Sequence, residues 1–358
     1  MKNDSDVMPS VIHVVRRYGP VGGMERYVWE LTQELKALGF AVTVICERCH
    51  AEKPDGILIY ELGEIAMRPR WLASYRFGNR VARWLEKNPH PKHIIHSHER
   101  LKCHHITTYH GPPFATVFEK PWWKRLSFRI LMHLKMEQWE LFTPNYIVPN
   151  SSFIKQQLSH YYPNIISKLT HPIVPGVKPI HSREVLSVPN NGGVVGFVGY
   201  EWKRKGLEFA AQIVAELRKH RSDVQFCIVG PATEDIKHIF TDWDVAAYKL
   251  MGWSDDSLYH HFDVLLHPAK AEPYGMVISE AMSAKVPVVV SDVCGAAEQV
   301  TPSFGLVLDL TAPIETWVAA VEQQLNRVDF APQFERSWRN VAQEYGAIYN
   351  EFFESRFK

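Results

Sequence analysis

What this chain has little of bounds it first. Its 358 residues contain no run of eighteen apolar positions, so nothing reads as a membrane-spanning helix. The formal charge is +1, from 40 Lys and Arg against 39 Asp and Glu, which removes any global case for nucleic acid and leaves only local basic patches. Five cysteines, an odd number without framework spacing, suit a reducing compartment rather than a disulfide scaffold. The start, Met1-Lys2-Asn3-Asp4-Ser5-Asp6, is polar where a signal peptide needs an apolar core. A cytoplasmic chain is expected, with attachment to a membrane surface left open.

What is present is ample apolar residue, 46% of the chain, at a length beyond that at which one core keeps growing, so two domains are expected. Residues 11–15 are a β-branched run; Gly19-Pro20 and Gly22-Gly23 follow, then a helical pattern over 24–38. Strand, glycine turn, helix is the opening unit of a doubly wound sheet, in which ligands meet the carboxyl ends of the strands. Strands are expected at 40–46, 56–62, 93–98, 106–111 and 146–151. The segment 171–193, with Pro172, Pro175, Gly176, Pro179, Pro189 and Gly192-Gly193, reads as a linker. A second set begins with the strand 194–199 and the helix 207–219, and ends with helical patterns at 314–325 and 334–353. The expected domains are 1–172 and 190–333, both Rossmann-like α/β, followed by a tail of about 334–358.

The organising stretch is Glu272-Pro273-Tyr274-Gly275-Met276-Val277-Ile278-Ser279-Glu280. A short buried strand over 263–268 precedes it, and helix formers run from 275 to 284, which puts Glu272 in the loop and Glu280 on the helix. Both carboxylates would face the helix start, where unpaired amides and the dipole favour an anion such as a diphosphate. Two glutamates at this spacing also arise on any solvated helix face. Arg204-Lys205-Gly206 opens another helix; three basic residues in four are ordinarily a solvated turn, but here they follow a strand ending in Gly199.

Two metal readings and two surface readings need weighing. Cys46-x-x-Cys49-His50 lacks a second ligand pair, so plain buried or loop thiols are the simpler account. His93, His96, His98, His104, His105 and His110 make one region rich in imidazole, with no zinc spacing among them, and no metal is expected. Arginines 68, 70, 76, 80 and 83 alternate with Trp71, Tyr75, Phe77 and Trp84, either as a solvated helix or as an acceptor or anionic-lipid surface. The segment 121–142, with Trp122, Trp123, Lys124, Arg125, Phe128, Arg129, Lys135 and Trp139, reads as one basic amphipathic helix that either packs on a core or lies in a headgroup plane.

At Glu272 and Glu280 the chain resembles the retaining glycosyltransferases of the GT-B fold, in particular family 4, which includes lipopolysaccharide core glucosyltransferases. The motif there is Glu-x7-Glu with a Pro-Tyr-Gly insert. Further segments match in order: Gly22-Gly23-Met24-Glu25, Tyr109-His110-Gly111, Asn150-Ser151, Arg204-Lys205-Gly206, the segment Tyr248 to Trp253, and Gly295-x-x-Glu298. The resemblance implies two facing Rossmann-like domains, with the tail crossing back onto the first. It implies transfer of a hexose, glucose from a UDP-linked donor, to a carbohydrate or lipid-linked acceptor, with retention at the anomeric carbon. Arg204 and Lys205 would neutralise the leaving diphosphate in place of a metal. Glu272 would position sugar hydroxyls, Glu280 the ribose diol, and His110 would bond the donor sugar. Gly22, Gly23, Gly252, Trp253, Tyr274, Gly275, Met276 and Val277 would complete the donor site. A nucleotide-sugar epimerase on the same fold and a binding protein without catalysis are the alternatives; the intact Arg204, Lys205, Glu272 and Glu280 weigh against the second.

Overall fold

Runs of Val and Ile with little polar alternation ask for strands covered on both faces, and parallel sheets flanked by helices supply them. The structure, a computed structural model, describes residues 9–65, 69–89, 92–125, 127–184, 187–253 and 258–357. The chain divides into two compact units, 1–176 with 336–358, and 177–335.

In the first unit, β1 (Ser10–Val14), β2 (Ala41–Cys46), β3 (Leu58–Glu61), β4 (His93–Ser97), β5 (Ile106–Tyr109) and β6 (Tyr146–Pro149) form a parallel sheet in the order β3-β2-β1-β4-β5-β6. Its helices are α1 (Gly23–Ala37), α2 (Arg70–Lys87), α3 (Phe128–Phe142) and α4 (Ser152–Tyr161). Helix α1 buries Tyr27, Val28, Leu31 and Leu35, a stripe at helical spacing. Ser151 starts α4 by accepting the Ile154 amide at 3.2 Å on its hydroxyl. The C-terminal helix, Trp338–Phe357, also belongs to this unit and packs on α1. Its buried Tyr345 meets the Tyr27 hydroxyl at 3.0 Å and Thr108 Oγ1 at 2.6 Å.

One expected element is corrected. Residues 121–142 are not a single helix: Trp122–Lys124 is a separate 3-10 turn after Pro121, closed by the Arg125 amide on the Trp122 carbonyl at 3.0 Å. Ser127 is extended, at φ −143°, and α3 starts only after it. Of the basic aromatic stretch over 67–84, Met67 and Arg68 lie outside the described residues, and Phe77 is core.

The second unit repeats the plan with β7 (Gly192–Val198), β8 (Asp223–Val229), β9 (Tyr248–Gly252), β10 (Val264–His267), β11 (Val288–Ser291) and β12 (Gly305–Leu308), parallel in the order β9-β8-β7-β10-β11-β12. Helices α5 (Leu207–Leu217), α6 (Met276–Ser283) and α7 (Ile314–Leu325) flank it around a core that includes Phe197, Ile213, Phe226 and Trp317. In each sheet the chain starts at an inner strand, winds outward one way, then returns to the other side. The crevice at that reversal, between β1 and β4 and between β7 and β10, is where such sheets take ligands.

Candidate active site

In the second unit the reversal gathers charge. Strand β7 ends at Val198, and the loop after it carries Arg204 and Lys205 to the start of α5. Gly199 leaves room for this: a Cβ there would lie 2.1 Å from the Lys205 side chain. Strand β10 ends at His267 and its loop delivers Glu272, whose backbone pairs with Val293 and Gly295. Arg204 Nη1 then lies 3.2 Å and Lys205 Nζ 3.3 Å from the same carboxylate oxygen, Glu272 Oε2. Glu201 takes the other edge of the guanidinium, at 2.7 Å from Nη2, so the fork is held from two sides. Burial pushes the Glu272 carboxyl up, but the Lys205 and Arg204 charges outweigh it and hold it well below the ordinary carboxylate range. Glu272 is ionised, and so accepts hydrogen bonds only.

His267 was not expected in this cluster. It is fully buried, with Nε2 3.6 Å from Glu272 Oε2, too far for a hydrogen bond, and burial keeps it neutral. The one signal was its place, a polar residue ending an otherwise apolar strand.

The residues after Glu272 form the entrance to α6. Gly275 sits at φ +96° directly before the helix, a left-handed turn that favours glycine. Met276 and Val277 open the helix, where their amides have no partner within its ladder. Two expected donor contacts are qualified. The Tyr274 hydroxyl is buried against Ser279 Oγ at 2.8 Å and its carbonyl accepts the Ala296 amide at 2.8 Å, so neither is turned toward a ligand. Glu280 accepts the Tyr259 hydroxyl at 2.5 Å rather than joining the Arg204–Lys205–Glu272 cluster. Gly252 ends β9 with its carbonyl bonded to the Gly230 amide at 2.7 Å, and Trp253 is 70% exposed.

Gly22, Gly23 and His110 belong to the first unit. Gly22 precedes α1 in extended conformation and Gly23 begins it; Glu25 folds back over Gly22 and holds Arg17, whose Nε lies 2.9 Å away. His110 follows β5 and lines a cavity of about 340 Å³ with Arg16, Met24, Arg70, Arg100 and Glu140. Arg100 Nε pairs with Glu140 at 3.4 Å, near the buried Glu137, which collects the Tyr109 and Tyr162 hydroxyls and the Phe114 and Ala115 amides. Burial raises Glu140 to about 8 against the pull of Arg100, and Glu99 to about 7 against that of Arg16. Arg16, Glu99 and Arg100 lie just past β1 and β4, a placement legible only once the sheet order is known.

Among the described residues one group could close on a metal: His13, His96 and His98, with ligand atoms within 4.8 Å of one another. Cys46 and Cys49 are free thiols, and Cys49 Sγ donates to the Ala51 carbonyl. The chain also contains two Asp-x-Asp triplets. Asp4-Ser5-Asp6 lies outside the described residues, and in Asp242-Trp243-Asp244 the last carboxylate caps a 3-10 turn by accepting the Ala246 amide at 3.1 Å.

Comparison with known proteins follows the two-unit division. Residues 21–181 match the family Glycosyltransferase Family 4, and residues 180–341 match Glycosyl transferases group 1. A GDP-mannose-dependent alpha-mannosyltransferase of Mycolicibacterium smegmatis is 33% identical over 140 residues, 38% of this chain and 36% of that one. The first curated relatives are matched over about a third to a half of their length. The structure of WaaG, a glycosyltransferase involved in lipopolysaccharide biosynthesis, superposes with a TM-score of 0.76 at 16% identity, over 97% of this chain and 99% of that one. Anabaena Alr3699/HepE in complex with UDP-glucose does so with a TM-score of 0.68 at 14% identity, over 97% and 98%.

Proposed function

We propose that this chain, which has the GT-B fold and belongs to the GT-B glycosyltransferases, transfers glucose from UDP-glucose to a lipid-linked glycan with retention at the anomeric carbon. The observation that carries the reading is the Arg204–Lys205–Glu272 cluster at the reversal of the second sheet, beside the start of α6. Without donor the two cations share Glu272, and Glu201 supplies the second negative charge on the Arg204 side. A bound diphosphate competes for them and for the Met276 and Val277 amides, and the released carboxylate turns its lone pairs to sugar hydroxyls.

In the reaction the bond from C1 to the diphosphate oxygen breaks while the acceptor oxygen bonds C1 on the same face. The departing phosphate oxygen takes the acceptor's proton. Arg204 and Lys205 meet the charge that grows on the leaving group, the electrophilic part that a metal plays elsewhere. Glu280 and the Gly252–Trp253 turn would serve the nucleoside, and His110 the sugar. UDP-glucose is favoured by the likeness to the fold of HepE, seen with that ligand, while the mannosyltransferase relative makes GDP-mannose the rival donor.

The lipid-linked acceptor rests on the first unit's surface. Trp122, Trp123, Phe128 and Leu131 are each 61–64% exposed, with Arg129 and Lys135 exposed beside them, as an anionic headgroup plane would require. Among the described residues no helix is long and apolar enough to cross a membrane. We place the protein at the cytoplasmic membrane face, in the synthesis of lipopolysaccharide core or another surface glycan.

The test is Lys205→Ala. Removing one charged contact to the leaving group lowers turnover about a hundredfold, or roughly 3 kcal/mol. Turnover within twofold of wild type would remove Lys205 from the mechanism. Thermal shift with UDP-glucose and GDP-mannose decides the donor, since the ligand that binds the native state raises its melting point. Incubation with donor alone separates transfer from epimerisation, because only an epimerase makes a new sugar without an acceptor.

A further inference from the structure

Four histidines crowd the carboxyl ends of β1, β4 and β5. His13 Nδ1 lies 3.1 Å from His98 Nε2, and His98 Nδ1 lies 2.9 Å from His110 Nε2. The ring centroids are 5.4 and 5.2 Å apart, in both pairs longer than the N···N distance by the same margin, about one ring width. Each pair therefore meets edge to edge along its N···N line, and the planes of His13 and His98 differ by only 13°. These are N–H···N hydrogen bonds in series. His96 stands beside the series with both nitrogens engaged, Nδ1 with the Tyr349 hydroxyl at 2.6 Å and Nε2 with Thr108 Oγ1 at 2.8 Å.

Burial keeps these rings neutral: His13 and His110 are lowered to about 3, and His98 falls well below its ordinary value. A neutral imidazole has one donor nitrogen and one acceptor nitrogen, so in a series joined through opposite nitrogens one ring's tautomer dictates the rest. The choice is made at the closed end. His13 Nε2 is buried without a hydrogen-bond partner. Among backbone groups orphaned buried N–H donors are rarer than under-used acceptors, and on the same ground we assign the lone pair to this nitrogen and the proton to Nδ1. His13 then donates to His98, His98 donates to His110 Nε2, and the proton of His110 is left on Nδ1.

We propose that His13 and His98 are positioning residues that lock His110 in its Nδ1–H tautomer, so that its remaining nitrogen is committed to donating a hydrogen bond, to an oxygen of the sugar substrate. The substrate half of this proposal rests on the glycosyl-transfer reading. The tautomer half does not, since it follows from three rings and one unpartnered atom.

The experiment is two-bond proton–nitrogen correlation NMR on the full chain labelled with nitrogen-15 histidine at neutral pH, with His110 assigned by His110→Gln. Free imidazole side chains in water favour Nε2–H; the expected result for His110 is the reverse. An Nε2–H pattern overturns the proposal whatever the activity, whereas Nδ1–H in a protein that transfers no sugar leaves the relay standing and sinks the function. Stoichiometric zinc that is retained on purification and lost with His13→Gln also overturns it, because an ion held by His13, His96 and His98 would take lone pairs and orientations that the hydrogen-bond series needs. In turnover, His98→Leu is expected to lose about tenfold, the worth of one misdirected hydrogen bond. His98→Asn, whose amide both donates and accepts, recovers part of it. Equal loss in both folded variants, or no loss in His98→Leu, overturns the positioning role.

Discussion

Replacing Glu272 by Gln keeps the shape of the side chain and removes the one charge that Arg204 and Lys205 share. The carboxylate is 7% exposed, with the two cations at 3.2 and 3.3 Å. Stranding a buried charge in this way costs roughly 3–5 kcal/mol. Arg204 keeps Glu201 and is partly solvated, so the lower end applies, about 3 kcal/mol or roughly 6–12 °C in the melting of a unit of this size. The pH dependence has a definite sign. Burial alone would raise the Glu272 carboxyl above 4.5, but the Lys205 and Arg204 charges hold it well below. A depressed carboxylate lends its stability above its unfolded pKa and loses it as pH falls toward the folded one. The gap between wild type and Glu272→Gln is therefore full at pH 7 and narrows as the pH drops below about 4.5. Affinity for UDP should move the other way: with the internal competitor gone, the cations bind the diphosphate more tightly while turnover falls. Calorimetric melting from pH 3 to 8 and titration with UDP measure both. A gap that stays constant across that range, or weaker UDP binding in the variant, would refute the account of a self-neutralised diphosphate site.

If Arg204 and Lys205 supply the electrophilic charge as proposed, saturating chelator leaves the transfer rate unchanged; a rate that vanishes and returns with manganese contradicts this. At low salt the protein should sediment with vesicles containing anionic lipid and be released by high salt. Phe128→Glu with Arg129→Glu should stay in the supernatant, since each cation near such a surface contributes about 1 kcal/mol. Equal sedimentation of the two proteins would return Trp122, Phe128 and Arg129 to ordinary surface. Glu137→Gln, which weakens four hydrogen bonds to a buried carboxylate, should destabilise the first unit by about 3 kcal/mol in urea unfolding; an unchanged midpoint would mean that the neutral amide serves as well.

The parts of the site legible in the sequence are those that one loop delivers in one piece. Glu272, Gly275 and the start of α6 are consecutive, and Arg204-Lys205 directly precedes its helix, so strand and helix periodicity was enough to place them at strand ends. Local spacing failed where the backbone changes course for a reason outside the periodic pattern. The apolar and basic positions of 121–142 suit one helix, yet the chain turns at Trp122–Lys124 and extends at Ser127 before α3 begins. It was silent where a side chain's partner comes from a distant element. Glu280 stands on α6 as its spacing from Glu272 implies, but that spacing does not show the Tyr259 hydroxyl that reaches it from the segment before β10.

The histidines show what spacing omits. Counted along the chain, His93, His96, His98, His104, His105 and His110 fit no metal pattern, and His13, 85 residues before His98, does not enter the count at all. The parallel register places His13 directly opposite His96, and one step past the ends of β4 and β5 come His98 and His110. A doubly wound sheet lines up the carboxyl ends of its inner strands, so residues just past those ends become neighbours whatever their separation in sequence. The same rule applied to the second sheet brings Arg204 and Lys205, past β7, to Glu272, past β10. In one unit the rule gathers opposite charges that a diphosphate can separate. In the other it gathers neutral rings whose only freedom is the direction of a proton, and the unpartnered nitrogen of His13 removes that freedom.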